Sequence, residues 1–374
     1  MTTPESFCFN KYKSLPNIVM QMNYITNCFI PLTNGEHIVF ENGNYKVLDQ
    51  STICKVYFNR LERTVCDFYF KQFTGLRTLV CEFNKPMLFE NKFNICPPIK
   101  AKYSPYNDFK IETKQSVDLF LKYIKEVLAS DNEDAYNYIL NWISNTLKGN
   151  KNDACIYLKG GQGIGKSTIS DFLKECVLGL DLFLETGSSP LKNKFNSIVK
   201  GKLIVQFTEL ENFSTNEWVS VSSVLKRWIT STTYMLEGKN ENAFQIENIN
   251  NYILDSNNDA IKDDDGRRYY IADVSPKYQN NRVYFVNLRA KCFNDDVGNA
   301  FYSLMLERDT TGFISQNFPD TKNKLCSLNK RLDSTYTFLK NEYILKKCEL
   351  KIKPKELYED YVDYCKTEKI RFYD

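Results

Sequence analysis

The alternation of apolar and polar positions changes character twice along the chain. Up to about residue 110 the pattern is mostly extended. The run EHIVFENGNYKVLD, residues 36–49, predicts a hairpin of two half-buried strands around Asn42-Gly43-Asn44, Asn-Gly being a strong short-turn signal. TLVCEF, residues 78–83, predicts another strand, and CPPIKAKYSPYNDF, residues 96–109, with its three prolines, predicts a linker. From about Glu112 the period becomes helical. Val117, Phe120, Leu121, Tyr123, Ile124, Val127 and Leu128 stand at helical spacing, and Tyr136, Ile139, Leu140, Ile143 and Leu147 do so in a second segment, ending at Gly149. Residues 111–150 therefore read as a helical pair whose apolar faces are packing surfaces.

The second change comes at Ala154–Leu158, a short apolar run of strand length. A glycine-rich turn follows, and then Ile169, Phe172, Leu173, Cys176 and Val177 on one helical face. The turn reads Gly160-Gly161-Gln162-Gly163-Ile164-Gly165-Lys166-Ser167 and fits the phosphate-binding pattern G-x-x-x-x-G-K-[ST] in full, with the strand and helix that pattern requires. Glycines let the backbone N–H groups surround phosphates, and the helix N-terminus, from Thr168 onward, adds partial positive charge. Lys166 is expected to reach the β- and γ-phosphates of a nucleoside triphosphate and Ser167 to place its hydroxyl on Mg²⁺. A bare glycine-rich turn does not account for the Lys-Ser pair.

Such a site needs carboxylates. GKLIVQFTELEN, residues 201–212, reads as a doubly buried strand ending in acids. Glu209 stands at its C-terminal end, where ligands bind in open α/β sheets. Thr208 occupies the place where an aspartate commonly stands. Glu209 is thus expected to bind Mg²⁺ and to act as base toward the attacking water. Glu211 shares its face only if the strand continues past Leu210. A third apolar stretch, Tyr252–Leu254, ends in Ser256-Asn257-Asn258, where an asparagine could bond the γ-phosphate or simply make a turn. Gly266-Arg267-Arg268 then precedes the apolar run YYIADV. Paired arginines there are either surface charge or groups that stabilise a transferring phosphoryl in a neighbouring subunit.

Composition narrows the field only modestly. The 374 residues allow two or three domains, and the apolar and charged fractions, 43% and 25%, are ordinary for a globular chain. A net charge of +3 excludes a basic coat, so nucleic-acid binding has to come from local patches. Twelve cysteines without a CxxC spacing argue against zinc fingers and for reduced thiols in an intracellular compartment. The single histidine, His37, is expected at a turn or strand edge. No stretch has signal-peptide character, and none approaches the roughly 18 apolar residues that span a bilayer.

Phosphate loop, apolar strand with glutamate, Ser-Asn after a further strand and Arg-Arg before an aromatic strand, in that order between Gly160 and Arg268, resemble the superfamily 3 helicases. These are AAA+-type ATPases of viruses, phages and plasmids. The nearest likeness is to the ATPase half of phage, plasmid and poxvirus-type primase-helicases, and it extends over about residues 112–374. The resemblance implies an α/β fold: an AAA+-like P-loop core at 151–318, a helical collar at 111–150 and a partial winged-helix region at 319–374, behind a mainly β region at 1–110. It implies that Lys166 and Ser167 serve phosphate and Mg²⁺, that Glu209 suffices as the single acid, and that Asn257, with Asn258 as substitute, is the sensor. Arg268, or else Arg267, is then the arginine finger. Lys239 is the DNA-contacting hairpin lysine, with Lys226 and Arg227 as weaker candidates. The implied activity is ATP-driven unwinding of DNA in genome replication by a homo-hexamer moving 3′ to 5′ along single-stranded DNA, with a separate primase or polymerase as partner. Residues 1–110 offer only His37 and no Asp-x-Asp, so primase activity is not expected of them. The alternatives are a packaging motor, a nucleotide kinase, or a hydrolysis-deficient ATP-binding assembly or origin-binding protein, the last favoured by Thr208.

Overall fold

The computed structural model describes residues 4–41, 44–71, 76–192, 197–210, 213, 215–236, 244–257, 261, 266–322, 334–346 and 352–367. Its N-terminal part is mixed rather than mainly β. Helices Phe9–Ser14, Ile18–Cys28, Gln50–Val56 and Arg63–Lys71 accompany an antiparallel sheet of β1 (Phe29–Pro31), β2 (Glu36–Glu41) and β3 (Asn44–Asp49). These helices are short, and this part has its own buried cluster around Phe7, Tyr24, Phe29, Phe58 and Tyr69. Antiparallel pairing of β2 with β3 bears out the hairpin, with Asn44, paired to Glu41, in the strand rather than the turn. A smaller sheet joins β4 (Thr78–Val80), β5 (Leu88–Phe89) and β6 (Lys92–Asn94). His37 is buried on the central strand β2, not at an edge or turn; its Nδ1 pairs with the Tyr69 hydroxyl at 2.8 Å, and burial lowers its pKa.

The helical pair is as expected. Ile111–Tyr123 runs into a π-helical turn, Ile124–Leu128, and Glu133–Leu147 follows. Asn132 caps the second helix by accepting from the Ala135 amide, with Glu133 and Asp134 in the first turn facing the positive helix end. Both helices pack into the main core.

That core surrounds a five-stranded, wholly parallel sheet of β7 (Cys155–Lys159), β8 (Phe183–Thr186), β9 (Ile204–Thr208), β12 (Asn251–Ser256) and β13 (Tyr269–Asp273), in the order β13-β7-β12-β9-β8. Four of its strands are buried over four consecutive residues, apolar but for Gln206 and Asn251, the signature of strands covered on both faces. Between β9 and β12 lie helix Thr215–Thr230 and an antiparallel pair, β10 (Thr233–Leu236) and β11 (Phe244–Glu247). Helices Arg282–Cys292 and Asp295–Glu307 then return to pack on Ile111–Tyr123. Gly298 lets Asp295–Glu307 also approach the segment Leu173–Leu178 closely, since a Cβ there would strike the Cys176 carbonyl. Among the described residues of 319–374 only helices occur, Ser334–Leu339 with the turn Lys340–Ile344, and Pro354–Thr367, gathered on Phe338, Tyr361 and Cys365. The strands of a winged helix are not among them.

The N-terminal ends of the parallel strands are tied by a buried polar network. Lys151 Nζ donates to the Trp228 carbonyl at 2.9 Å and the Asn250 carbonyl at 3.0 Å, and lies 5.3 Å from the Tyr252 ring centre. Burial pulls its pKa down to about 7. Asn248 donates to the Trp228 and Ser231 carbonyls, both at 2.8 Å, and Asn152 binds Asn251 Oδ1 at 3.0 Å. This network anchors the root of the β10–β11 pair to the sheet.

Candidate nucleotide site

The C-terminal ends of β7, β12 and β9 open onto one cavity of about 680 Å³, within the size range of small-molecule sites. Its floor is the loop Gly160–Lys166. Gly163 and Gly165 have φ of +71° and +91°, a region glycine enters without penalty. A Cβ at Gly163 would meet the Asn280 side chain, and one at Gly165 would meet the Phe285 ring. The loop is held from two sides. Tyr123 donates its hydroxyl to the Gly165 carbonyl at 2.8 Å, the Asn280 amide to the Gly163 carbonyl at 2.9 Å, and Gln279 Nε2 to the Gln162 carbonyl at 3.2 Å. Ile164 is buried beneath the turn, whereas Gly161, Gln162 and Ser167 are exposed to the cavity. Ser167 begins helix Ser167–Phe172, continued by the π-helical turn Leu173–Leu178, with Thr168 in its first turn.

Lys166 is the centre of the site. It is buried, 8% exposed, and Nζ donates to the Gly160 carbonyl at 2.5 Å, the Gly161 carbonyl at 3.2 Å and Asn257 Oδ1 at 2.6 Å. It also lies 3.3 Å from Asp255 Oδ1. Burial raises the Asp255 pKa, opposed by the charge of Lys166. The strand β9 ends at Thr208, and Glu209 takes φ of +49°, unusual for a residue with a side chain. Its amide donates to the Asp255 carbonyl at 3.0 Å, which fixes the bend. The exposed Glu209 side chain lines the cavity with Thr208, Glu185, Asp255, Ser256 and Asn257. Because the chain turns there, the extended geometry that would align Glu211 with Glu209 ends at Thr208; Glu211 itself lies outside the described residues.

The structure brings together Gly161, Gln162, Gly163, Ile164, Gly165, Lys166, Ser167, Thr168, Glu209 and Asn257 around one cavity. Gly160 adjoins it through its carbonyl on Lys166. Arg267 and Arg268 are elsewhere. The Arg268 carbonyl accepts from the Cys155 amide, at the N-terminal end of β7. Five strand residues at about 3.3 Å each place Arg268 roughly 17 Å from the glycine-rich loop of its own chain. Lys239 and Asn258 lie outside the described residues, though β10 and β11 flank Lys239 as the arms of a hairpin. Arg227 is exposed and Lys226 half-buried on helix Thr215–Thr230, before those arms. Sequence reasoning missed Asp255, Glu185, Asn280 and Phe285. Asp255 stands one residue before the Ser-Asn tip and was legible as a strand-end acid; Glu185 closes the short apolar run Leu182–Leu184. Asn280 and Phe285 carry no local signal.

The site's fit to a nucleotide triphosphate and Mg²⁺ rests on these features. The glycine backbone is close-packed from behind, a buried lysine faces the cavity, a hydroxyl opens the following helix, and carboxylates stand opposite.

Residues 158–268 match the profile of a family of unknown function (DUF5906). Over 145 residues, 38% of this chain, the sequence is 27% identical to the DNA primase-polymerase of Nitratiruptor phage NrS-1, and the match spans 20% of that protein. The chain thus covers about a fifth of this curated relative's length. Among solved structures, an apo structure of the NrS-1 C terminal region superposes with a TM-score of 0.61 at 17% identity, covering 88% of this chain and 81% of that one. Its A form gives 0.60 at 18% identity, covering 87% and 79%. The chain shares the fold of that region. Among the described residues no helix is long and apolar enough to cross a membrane.

Proposed function

We propose that the chain is a superfamily 3-type ATPase that unwinds DNA during phage genome replication. The observation that carries this reading is the placement of Lys166 between the carbonyls of the phosphate loop and Asn257, in one cavity with Ser167 and Glu209. Mg²⁺, when bound, would neutralise phosphate charge and orient the leaving group. Ser167 and Glu209 are the residues to hold it. Lys166 exchanges its backbone and Asn257 partners for phosphate oxygens, and Glu209 accepts the proton of an attacking water. Asn257, freed from Lys166, orients that water or the γ-phosphate.

Arg267 and Arg268, at the far end of the sheet, can serve such a site only from a neighbouring copy, which agrees with a ring, taken here as a hexamer. The β10–β11 arms would carry Lys239 to a DNA strand, contacting phosphates with little reading of sequence. The similarity to a phage primase-polymerase supports the replication setting. A separate primase or polymerase remains the expected partner.

A strand-displacement assay on forked DNA tests the reading. Duplex opening that needs ATP and is lost in Lys166→Ala supports it; ATP-independent opening, or none, opposes it. A hydrolysis-deficient ATP-binding protein is the second reading, favoured by Thr208, and it predicts nucleotide binding without turnover.

A further inference from the structure

Thr208 leaves the β9 end of the site one carboxylate short, and the neighbouring strand bears a carboxylate at the same level. In the β12–β9 ladder Asp255 is the direct partner of Thr208. Register partners in a parallel pair present their side chains to the same face, and both residues line the cavity of the phosphate loop. On its other side Asp255 pairs with Leu158 of β7, two residues before the loop begins. The Asp255 side chain is 17% exposed, and Oδ1 lies 3.3 Å from Lys166 Nζ. The Thr208 hydroxyl is turned away toward the Thr186 carbonyl on β8, at 3.5 Å.

From this juxtaposition we propose that Asp255 supplies, from β12, the metal-directed carboxylate that Thr208 does not supply from β9. It acts on the divalent cation of a bound Mg²⁺–nucleotide, directly or through a water on that cation, alongside the Ser167 hydroxyl. Asp255 is one strand nearer the loop than Thr208, so the exchange shortens the reach to the phosphates. The inference rests on the nucleotide reading above. Glu209 then keeps the role of base, and the apparent gap in the strand ending TELEN is filled by the aspartate of LDSNN.

The test is binding of a fluorescent ATP analogue titrated with Mg²⁺, repeated with Mn²⁺ and followed by electron paramagnetic resonance of the bound ion. Wild-type protein, Asp255→Asn, Asp255→Glu and the pair Thr208→Asp/Asp255→Asn are compared. Asp255→Asn should raise the Mg²⁺ concentration for half-maximal binding by about tenfold or more, the scale for loss of a metal-orienting carboxylate. It should leave binding in EDTA unchanged or tighter, because a negative charge beside the phosphates is gone. Asp255→Glu, which keeps the charge, should shift the midpoint less, and Thr208→Asp should recover much of the loss. Equal weakening with and without Mg²⁺ would make Asp255 only the counter-ion of Lys166 and overturn the inference, as would an unmoved midpoint. Should Asp255→Asn not fold, an Asp255→Glu midpoint equal to wild type, with an unaltered Mn²⁺ spectrum, would overturn it as well. Wild-type protein that binds no analogue under either condition sinks the nucleotide reading itself; wild-type binding indifferent to Mg²⁺ sinks only the role given to Asp255.

Discussion

Lys151 makes the stability of this protein a function of pH between about 7 and 10. The ammonium is buried among the Trp228 and Asn250 carbonyls and the Tyr252 ring, and burial holds its pKa near 7. In the unfolded chain it returns to about 10.4. Because the folded value is the lower, the unfolded chain binds more protons between these limits. The group's contribution is therefore complete above about pH 10.4 and is lost as pH falls to about 7. The slope is about 1.4 kcal/mol per pH unit, so raising pH from 7.5 to 9 should add about 2 kcal/mol. Lys151→Met keeps the volume and removes the titration. Losing two hydrogen bonds gives that variant a constant offset, eased because Asn248 still donates to the Trp228 carbonyl. Urea unfolding of both proteins from pH 6.5 to 9.5 reads the difference curve, in which thiols and carboxylates common to both cancel. Wild type should gain on the variant as pH rises and level off below pH 7. A flat difference, or one in which wild type gains as pH falls, would refute the placement of a buried, desolvated ammonium at the hairpin root.

Other consequences are as direct. Gly165→Ala combines left-handed backbone, about 1–2 kcal/mol, with collision against Phe285, about 1–3 kcal/mol, so it should destabilise more than Gly312→Ala, which has φ of +73° but open space. Phe285→Ala in the same chain should make Gly165→Ala less costly, measured as a double-mutant cycle by denaturant unfolding. Arg268→Ala should abolish ATP turnover while leaving nucleotide binding intact, and mixing it with Lys166→Ala protein should restore part of the rate, since mixed rings contain sites with both groups; no recovery would remove the arginine from its role between subunits. His37→Gln should leave ATP turnover unchanged and lower stability, because the ring is a buried partner of Tyr69 and is not among the residues that line the cavity.

Much of the core was legible because its signals are local. The mostly apolar runs of β7, β9, β12 and β13 and the spacing of the glycine-rich loop leave little choice of local structure. Asn257 was legible as the tip of a strand, though its bond to Lys166, 91 residues away, needed the sheet order. What sequence alone concealed depends on register between distant strands. Asp255 acquires meaning only beside Thr208 and Lys166, and Phe285 only where its ring backs Gly165. The N-terminal part was misread for a different reason. Its helices, of six to eleven residues, are short enough that each shows only about two or three turns of the helical period. Glu36–Glu41 is buried along nearly its whole length rather than alternating, because helices cover the second face of β2.

The central claim, that this cavity hydrolyses ATP to act on DNA, meets its most direct test in steady-state ATPase rates with and without single-stranded DNA, for wild type and Glu209→Gln. Magnesium-dependent hydrolysis that rises with DNA, and falls by two or more orders of magnitude in Glu209→Gln while nucleotide still binds, is the predicted result, about the scale of losing a general base. Hydrolysis that survives Glu209→Gln, or is absent from wild-type protein that binds ATP, would contradict it.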